Sequence, residues 1–152
     1  MPAPYTGRCV CGATKYRLND EPVLIYACHC TDCQKRSGSA FGLSMWVRTS
    51  TLEVLQGDPV LHESKTEAGR PMHIRFCGVC NSRMWSDSLR RPGLTIVRGG
   101  TLDDTSWLRP QAHLWTRSAQ KWFVFPEGVP CYDTQSDEFF AEALNIAGRA
   151  KK

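Results

Sequence analysis

The sequence predicts a mainly β protein, several short antiparallel strands closed by one C-terminal helix. Three observations point there. Apolar and polar residues mostly alternate with a period of two, glycine and proline turn signals recur at short intervals, and helical spacing stands out only near the end. In chain order, Thr14, Tyr16 and Leu18 alternate with Lys15 and Arg17, a half-buried strand. Val23–Cys28 is a short apolar run suited to a buried strand. Leu43–Arg48, Leu52–Gln56, Val60–Glu63, Met72–Phe76, Leu94–Arg98 and Ala112–Trp115 read as further strands. Asn19-Asp20, Gly57-Asp58-Pro59, Arg91-Pro92-Gly93 and Gly99-Gly100 supply the turns between them. Such a series suits an all-β sandwich or an open, folded sheet. The closing helix is expected from Asp137 to Arg149. Ser136 is its N-cap, Asp137 and Glu138 suit its positive end, Phe140, Leu144 and Ala147 line one face, and Arg149, Lys151 and Lys152 suit the other end.

Length and composition set the frame. The 152 residues predict one domain, with roughly 69% of the unfolded surface buried on folding. Apolar residues are 41% and charged residues 22%, an ordinary globular balance that argues against disorder. No apolar run approaches the roughly 18 residues of a membrane helix. The stretch MPAPYTGRCV has neither a basic n-region nor an apolar h-region, so a cytoplasmic setting is expected.

Eight cysteines are the informative count. In a reducing compartment, clustered cysteines read first as metal ligands or redox groups. They fall into Cys9-Val-Cys11 followed by Gly12, Cys28-His-Cys30-Thr-Asp-Cys33, Cys77-Gly-Val-Cys80, and an isolated Cys131. A structural zinc ion takes four ligands at tetrahedral corners. The Cys77/Cys80 knuckle supplies two, its turn helped by Gly78 if that residue takes positive φ. Cys9 and Cys11, if on a strand, face the same way roughly 6.6 Å apart at Cα, so their thiolates can lean together onto one ion. Two pairs make one closed site, Cys9, Cys11, Cys77 and Cys80, which would contribute folding free energy directly.

Cys28, Cys30 and Cys33 offer three local ligands and no cysteine but distant Cys131 for a fourth. Three protein ligands plus an exchangeable one is the pattern of a catalytic zinc, and three thiolates suit a soft thiolate in the open corner. The alternatives are that His29, Cys131 or another group not evident in the sequence closes a second structural site, or that the triplet cycles through a disulfide beside Lys35 and Arg36. Cys131 otherwise reads as a small buried apolar residue. Removing 7 charges as thiolates and adding 4 as two Zn²⁺ takes the formal charge from +4 to +1. The basic balance is therefore weak ground for a nucleic-acid partner, and Lys35-Arg36 and Arg90-Arg91 are the only adjacent basic pairs before the tail.

Gly7-Arg-Cys9-Val-Cys11-Gly12, Cys28-His29-Cys30-Thr-Asp-Cys33-Gln-Lys-Arg-Ser37-Gly38 and Phe76-Cys77-Gly-Val-Cys80 together resemble the glutathione-dependent formaldehyde-activating enzyme family, to which centromere protein V belongs. The resemblance runs from about Tyr5 to Asp133 and includes His113-Leu-Trp115 and Trp122. It implies a β-tent zinc-binding fold over 5–133; the helix and tail over 134–152, read from their own residues, are expected to pack on the same domain. It implies two zinc ions, a structural one on Cys9, Cys11, Cys77 and Cys80 and a catalytic one on Cys28, Cys30 and Cys33. It also implies carbon–sulfur lyase chemistry on S-hydroxymethylglutathione or another small-thiol adduct. Asn81 stands where family members commonly carry glycine, and asparagine tolerates the left-handed conformation that position asks for.

With a thiol in the open corner, a general acid must protonate the oxygen that formaldehyde contributes. His29 is a candidate by position, against the reading of an exposed bystander; Asp32 and Ser37 lie near the triplet. Lys35, Arg36 and Arg48 could pair with the carboxylates of glutathione, and Trp46 and Trp85 are either pocket walls or core. The competing functions are a binding module in which both zinc sites are structural, and a thiol redox protein using Cys28, Cys30 and Cys33. A fourth protein ligand at the triplet would favour the module.

Overall fold

A computed structural model describes residues 2–66, 69–89, 91–135, 139 and 141–143. The protein is mainly β. The chain packs as two compact units, residues 1–22 with 45–108 and residues 23–44 with 109–152. Each unit is assembled from two chain segments.

The first unit opens with β1 (Tyr5–Arg8) and β2 (Lys15–Leu18), which pair antiparallel, and β5 (Leu52–Gln56) pairs antiparallel on the other side of β2. A meander follows: β6 (Val60–Lys65), β7 (Pro71–Phe76), β8 (Arg83–Ser88) and β9 (Leu94–Arg98), each antiparallel to the next. The alternation expected around Tyr16 holds, since Tyr16 and Leu18 are fully buried and Lys15 is exposed. Tyr16 meets Trp85 edge to face at 5.9 Å, and its hydroxyl lies 2.7 Å from Thr101 Oγ1. Its ring also covers Gly7 so closely that a Cβ there would overlap it, which explains a glycine beside the first cysteine pair. Met45, Val47, Ile74, Met84 and Val97 complete this core.

The strand β4 (Gly42–Arg48) runs from the second unit into the first. The second unit holds β3 (Leu24–Cys28), β10 (Ala112–Leu114) and β11 (Cys131–Tyr132), in the order β11-β10-β3. Both of these pairings are parallel, where antiparallel strands were expected. Hairpin turn signals report direction only for strands adjacent in sequence; β3 and β10 are too distant for that. Every residue of β3 is buried, as its unbroken apolar run predicts. A short helix, α1 (Thr31–Ser37), follows β3 directly. The expected helix from Asp137 to Arg149 lies mostly outside the described residues. Of it, residues 139 and 141–143 are helical, with Phe139 and Ala143 fully buried. Phe139 packs edge to face on Tyr132 at 5.0 Å. No helix among the described residues is long and apolar enough to cross a membrane.

Candidate functional site

The first unit brings Cys9, Cys11, Cys77 and Cys80 together, their four sulfurs all within 4.8 Å of one another. Cys9 and Cys11 do not sit on a strand, as the period-two argument supposed. They occupy the turn after β1, where Gly12 N–H donates to Cys9 O at 3.1 Å and Thr14 N–H to Cys9 Sγ at 3.3 Å. The turn brings their sulfurs to 3.5 Å. Cys11 Sγ is 3.8 Å from Cys77 Sγ. An ion about 2.3 Å from four tetrahedral sulfurs places them roughly 3.8 Å apart, so the quartet suits a soft divalent ion such as zinc.

The second knuckle joins β7 to β8. Val79 N–H donates to Cys77 Sγ at 3.4 Å, and Asn81 N–H to Cys77 O at 3.0 Å. The left-handed residue is Asn81 at φ 63°, not Gly78. A Cβ at Gly78 would stand 3.2 Å from Val60 Cγ2, a tight contact with an exposed side chain. Ser82 ties the knuckles together. Its Oγ accepts from Val10 N–H at 3.3 Å and lies 3.1 Å from Cys80 Sγ. That hydroxyl, with backbone N–H groups, pulls the Cys80 thiol down to about 5. Backbone N–H groups, that of Cys80 first, also lower Cys77. Cys11 moves the other way. An Ala13 backbone contact favours its thiolate, but burial and the neighbouring thiols push it up to about 12. A bare quartet therefore resists full ionisation, and a cation reverses that preference.

The second unit gathers Cys28, Cys30 and Cys33, again within 4.8 Å of one another. Cys28 ends β3, buried, and pairs in register with Leu114 of β10. Cys30 is the N-cap of α1: its Sγ accepts from Cys33 N–H at 3.3 Å, so the first helical turn carries two of the three sulfurs. No apolar stripe in the sequence announces this helix, and none of its residues is buried. The available signals are end signals, Asp32 in the first turn, Lys35 and Arg36 in the last, and Gly38 left-handed at φ 62°. Hydrogen bonds to Cys30 and Cys33, with burial, push the Cys28 thiol far up. Among the described residues no histidine or carboxylate joins either cluster.

His29, between two of these cysteines, is fully buried and no exposed bystander. Its Nε2 lies 2.9 Å from Nδ1 of His113, itself 2% exposed, on β10. Phe41, Phe123 and Phe125 surround the pair, with ring centroids 4.8–5.3 Å from His29. Burial, then the neighbouring His113, pulls His29 down to about 4; burial lowers His113 as well. The pair is neutral at pH 7. For His113 the sequence offered its place in the His113-Leu-Trp115 feature of the family resemblance and a histidine inside an apolar strand, neither of which pointed to His29.

The remaining candidates are dispersed. Lys35, Gln34, Ser39 and Gln120 line an open groove of about 440 Å³ beside α1. Gln34 Nε2 donates to His29 O and to Ser118 O, both at 2.9 Å. Ser37 Oγ donates to the carbonyls of Gln34 and Phe41. Arg48 pairs with Asp20 at 3.4 Å in the first unit. Trp46 and Trp85 are core, 3% and 6% exposed. Cys131, expected to be buried, is exposed on the two-residue strand β11, too short to cover it.

A family model described as glutathione-dependent formaldehyde-activating enzyme matches residues 4–118, well over half of the chain. Among solved structures, a crystal structure of a Rhodobacter sphaeroides protein from a structural-genomics programme is similar. The two share 19% identity over 84% of this chain and 98% of that one, with a TM-score of 0.50, a likeness of fold. No curated protein matches significantly.

Proposed function

The chain belongs to the glutathione-dependent formaldehyde-activating enzyme family, and on that footing we propose a zinc-dependent carbon–sulfur lyase acting on the adduct of formaldehyde with glutathione or another small thiol. The observation that carries this reading is the unequal donor count, four sulfurs in one unit and three in the other. Cys9, Cys11, Cys77 and Cys80 would saturate a structural ion. Cys28, Cys30 and Cys33 would hold a second ion and leave one corner for a ligand thiol. When bound at the triplet, zinc would supply the positive charge that keeps such a thiol ionised near neutral pH.

The chain's own residues do the rest. β3 and the first turn of α1 fix the three sulfurs before any ligand arrives, which is preorganisation. Cys30 and Cys33 are half-buried, so the triplet is reached from their side. Lys35, exposed one residue past Gln34 on α1, would pair with a carboxylate of a peptide thiol lying in the groove. The substrate's thiolate sulfur bonds to the carbonyl carbon of formaldehyde, the C=O π pair moves to oxygen, and that oxygen takes a proton; the lyase direction reverses each change. His29 is tied to His113 and is not the proton donor. Asp32, half-buried in the first turn of α1, is the acid this reading favours. A reducing, cytoplasmic setting suits eight cysteines with no disulfide among them. The span 5–133 is the functional domain in this reading, with 134–152 appended.

The test is the rate at which free formaldehyde is consumed on mixing with glutathione. The protein should accelerate it, and Cys30→Ser should return it to the uncatalysed rate while the circular dichroism spectrum is unchanged. Acceleration that survives Cys30→Ser would contradict the reading.

A further inference from the structure

A histidine between two metal-binding cysteines would ordinarily be taken for a ligand or a bystander, and His29 is neither. Its ring lies outside the sulfur cluster. Three contacts pin the residue. Its N–H donates to Leu114 O at 2.9 Å, its carbonyl accepts from Gln34 Nε2 at 2.9 Å, and its ring bonds His113 at 2.9 Å. The backbone of His29 is the link between Cys28 and Cys30, so whatever fixes His29 fixes the spacing of two of the three sulfurs.

We infer that His113 is a positioning residue for the triplet: through its hydrogen bond to His29 it holds Cys28 and Cys30 at the separation a bound metal requires. This rests on the reading of the triplet as a metal site. The outer nitrogens of the pair, His29 Nδ1 and His113 Nε2, are buried with no partner among the described residues. The central bond is therefore the one polar contact each ring makes, in a cage of phenylalanines that offers an unmet imidazole nitrogen no substitute partner. Removing His113 alone leaves His29 with a ring that has every reason to leave the cage, and it takes the Cys28–Cys30 link with it. Groups that orient ligands without touching the metal characteristically change affinity by about 10–100-fold.

The experiment uses the full chain loaded with two equivalents of ¹¹³Cd²⁺, read by cadmium NMR and chelator competition. Wild type should give two signals, one from each cluster. His113→Leu should weaken the triplet's affinity by about 10–100-fold and broaden or erase its signal, with the quartet's signal unmoved. His113→Asn places an amide atom where Nδ1 stood and should restore most of the affinity. The double variant His29→Leu with His113→Leu, which leaves no imidazole unpaired, should be no worse than His113→Leu alone. An unchanged triplet signal and affinity in His113→Leu, equal loss at both clusters, or strictly additive losses in the double variant would overturn the inference. Should the leucine variant not fold, wild type carries the test. The ¹⁵N shifts of His29 Nε2 and His113 Nδ1 should move when the second equivalent fills the triplet, and stationary shifts overturn the inference. A wild-type spectrum with only the quartet signal would count against the metal-holding triplet itself, and the inference would fall with it; two wild-type signals with no response to His113→Leu sink the inference alone.

Discussion

Asn81 shows how much a single backbone position carries. It follows the second knuckle cysteine at φ 63°, and its N–H closes the knuckle on Cys77 O. Asparagine visits this region at modest cost, whereas a β-branched residue does not. Asn81→Val should destabilise the protein by about 1–2 kcal/mol in denaturant titration. The loss should appear also as weaker chelator resistance at the quartet, while Asn81→Gly should match or exceed wild type. Equal stability of the valine variant would show that the knuckle tolerates another path. At this scale the sequence was most legible, because metal spacing is a local property: Cys77-Gly-Val-Cys80 and Cys28-His-Cys30-Thr-Asp-Cys33 announce their sulfurs without any knowledge of the fold. It was least legible where a side chain's role depends on a distant neighbour. Gly7 is small because of Tyr16, and His29 is buried among Phe41, Phe123, Phe125 and His113.

The elements follow the same rule. Strands with a two-residue alternation or an unbroken apolar run are legible: Leu52–Gln56 and Leu94–Arg98 have the expected bounds. The strands missed are Tyr5–Arg8, Arg83–Ser88 and the two-residue Cys131–Tyr132. Arg83–Ser88 is mostly polar by composition yet buries Met84, Trp85 and Ser86, so its pattern reports pairing on both sides more than period. The helix α1 is hidden because it buries nothing, and the parallel pairing of β3 with β10 because no local turn joins them. That pairing places the two histidines in contact, and it carries a pH dependence. His29 ionises near 4 in the fold against about 6.5 when unfolded, and His113 shifts the same way. Between those values the unfolded chain binds more protons, so stability is complete above about pH 6.5 and declines as pH falls towards 4. For His29 the decline amounts to about 3 kcal/mol. At equal metal loading, the unfolding free energy of the double variant His29→Leu with His113→Leu should fall less steeply over that interval than wild type. Parallel slopes would mean the imidazoles take up protons without unfolding cost.

For the molecule as a whole, each compact unit owns one sulfur cluster, and the two clusters differ in donor number. The quartet links the turn after β1 to the turn after β7, so its ion would be part of the folding energy of that unit. The triplet is confined to β3 and α1, which neighbouring strands and hydrogen bonds already hold. Loss of its ion should leave the fold standing. The division of seven cysteines into a group of four and a group of three was visible from cysteine spacing; the partition of the chain into two interleaved units was not, because each is built from segments far apart in sequence. The most direct test is zinc content per chain by mass spectrometry, paired with thermal unfolding, for wild type, Cys30→Ser and Cys77→Ser. Wild type should carry two ions. Cys30→Ser should carry one and still unfold cooperatively, and Cys77→Ser should lose the cooperative transition. A Cys30→Ser protein that keeps both ions, or unfolds as Cys77→Ser does, would contradict an open triplet beside a closed quartet.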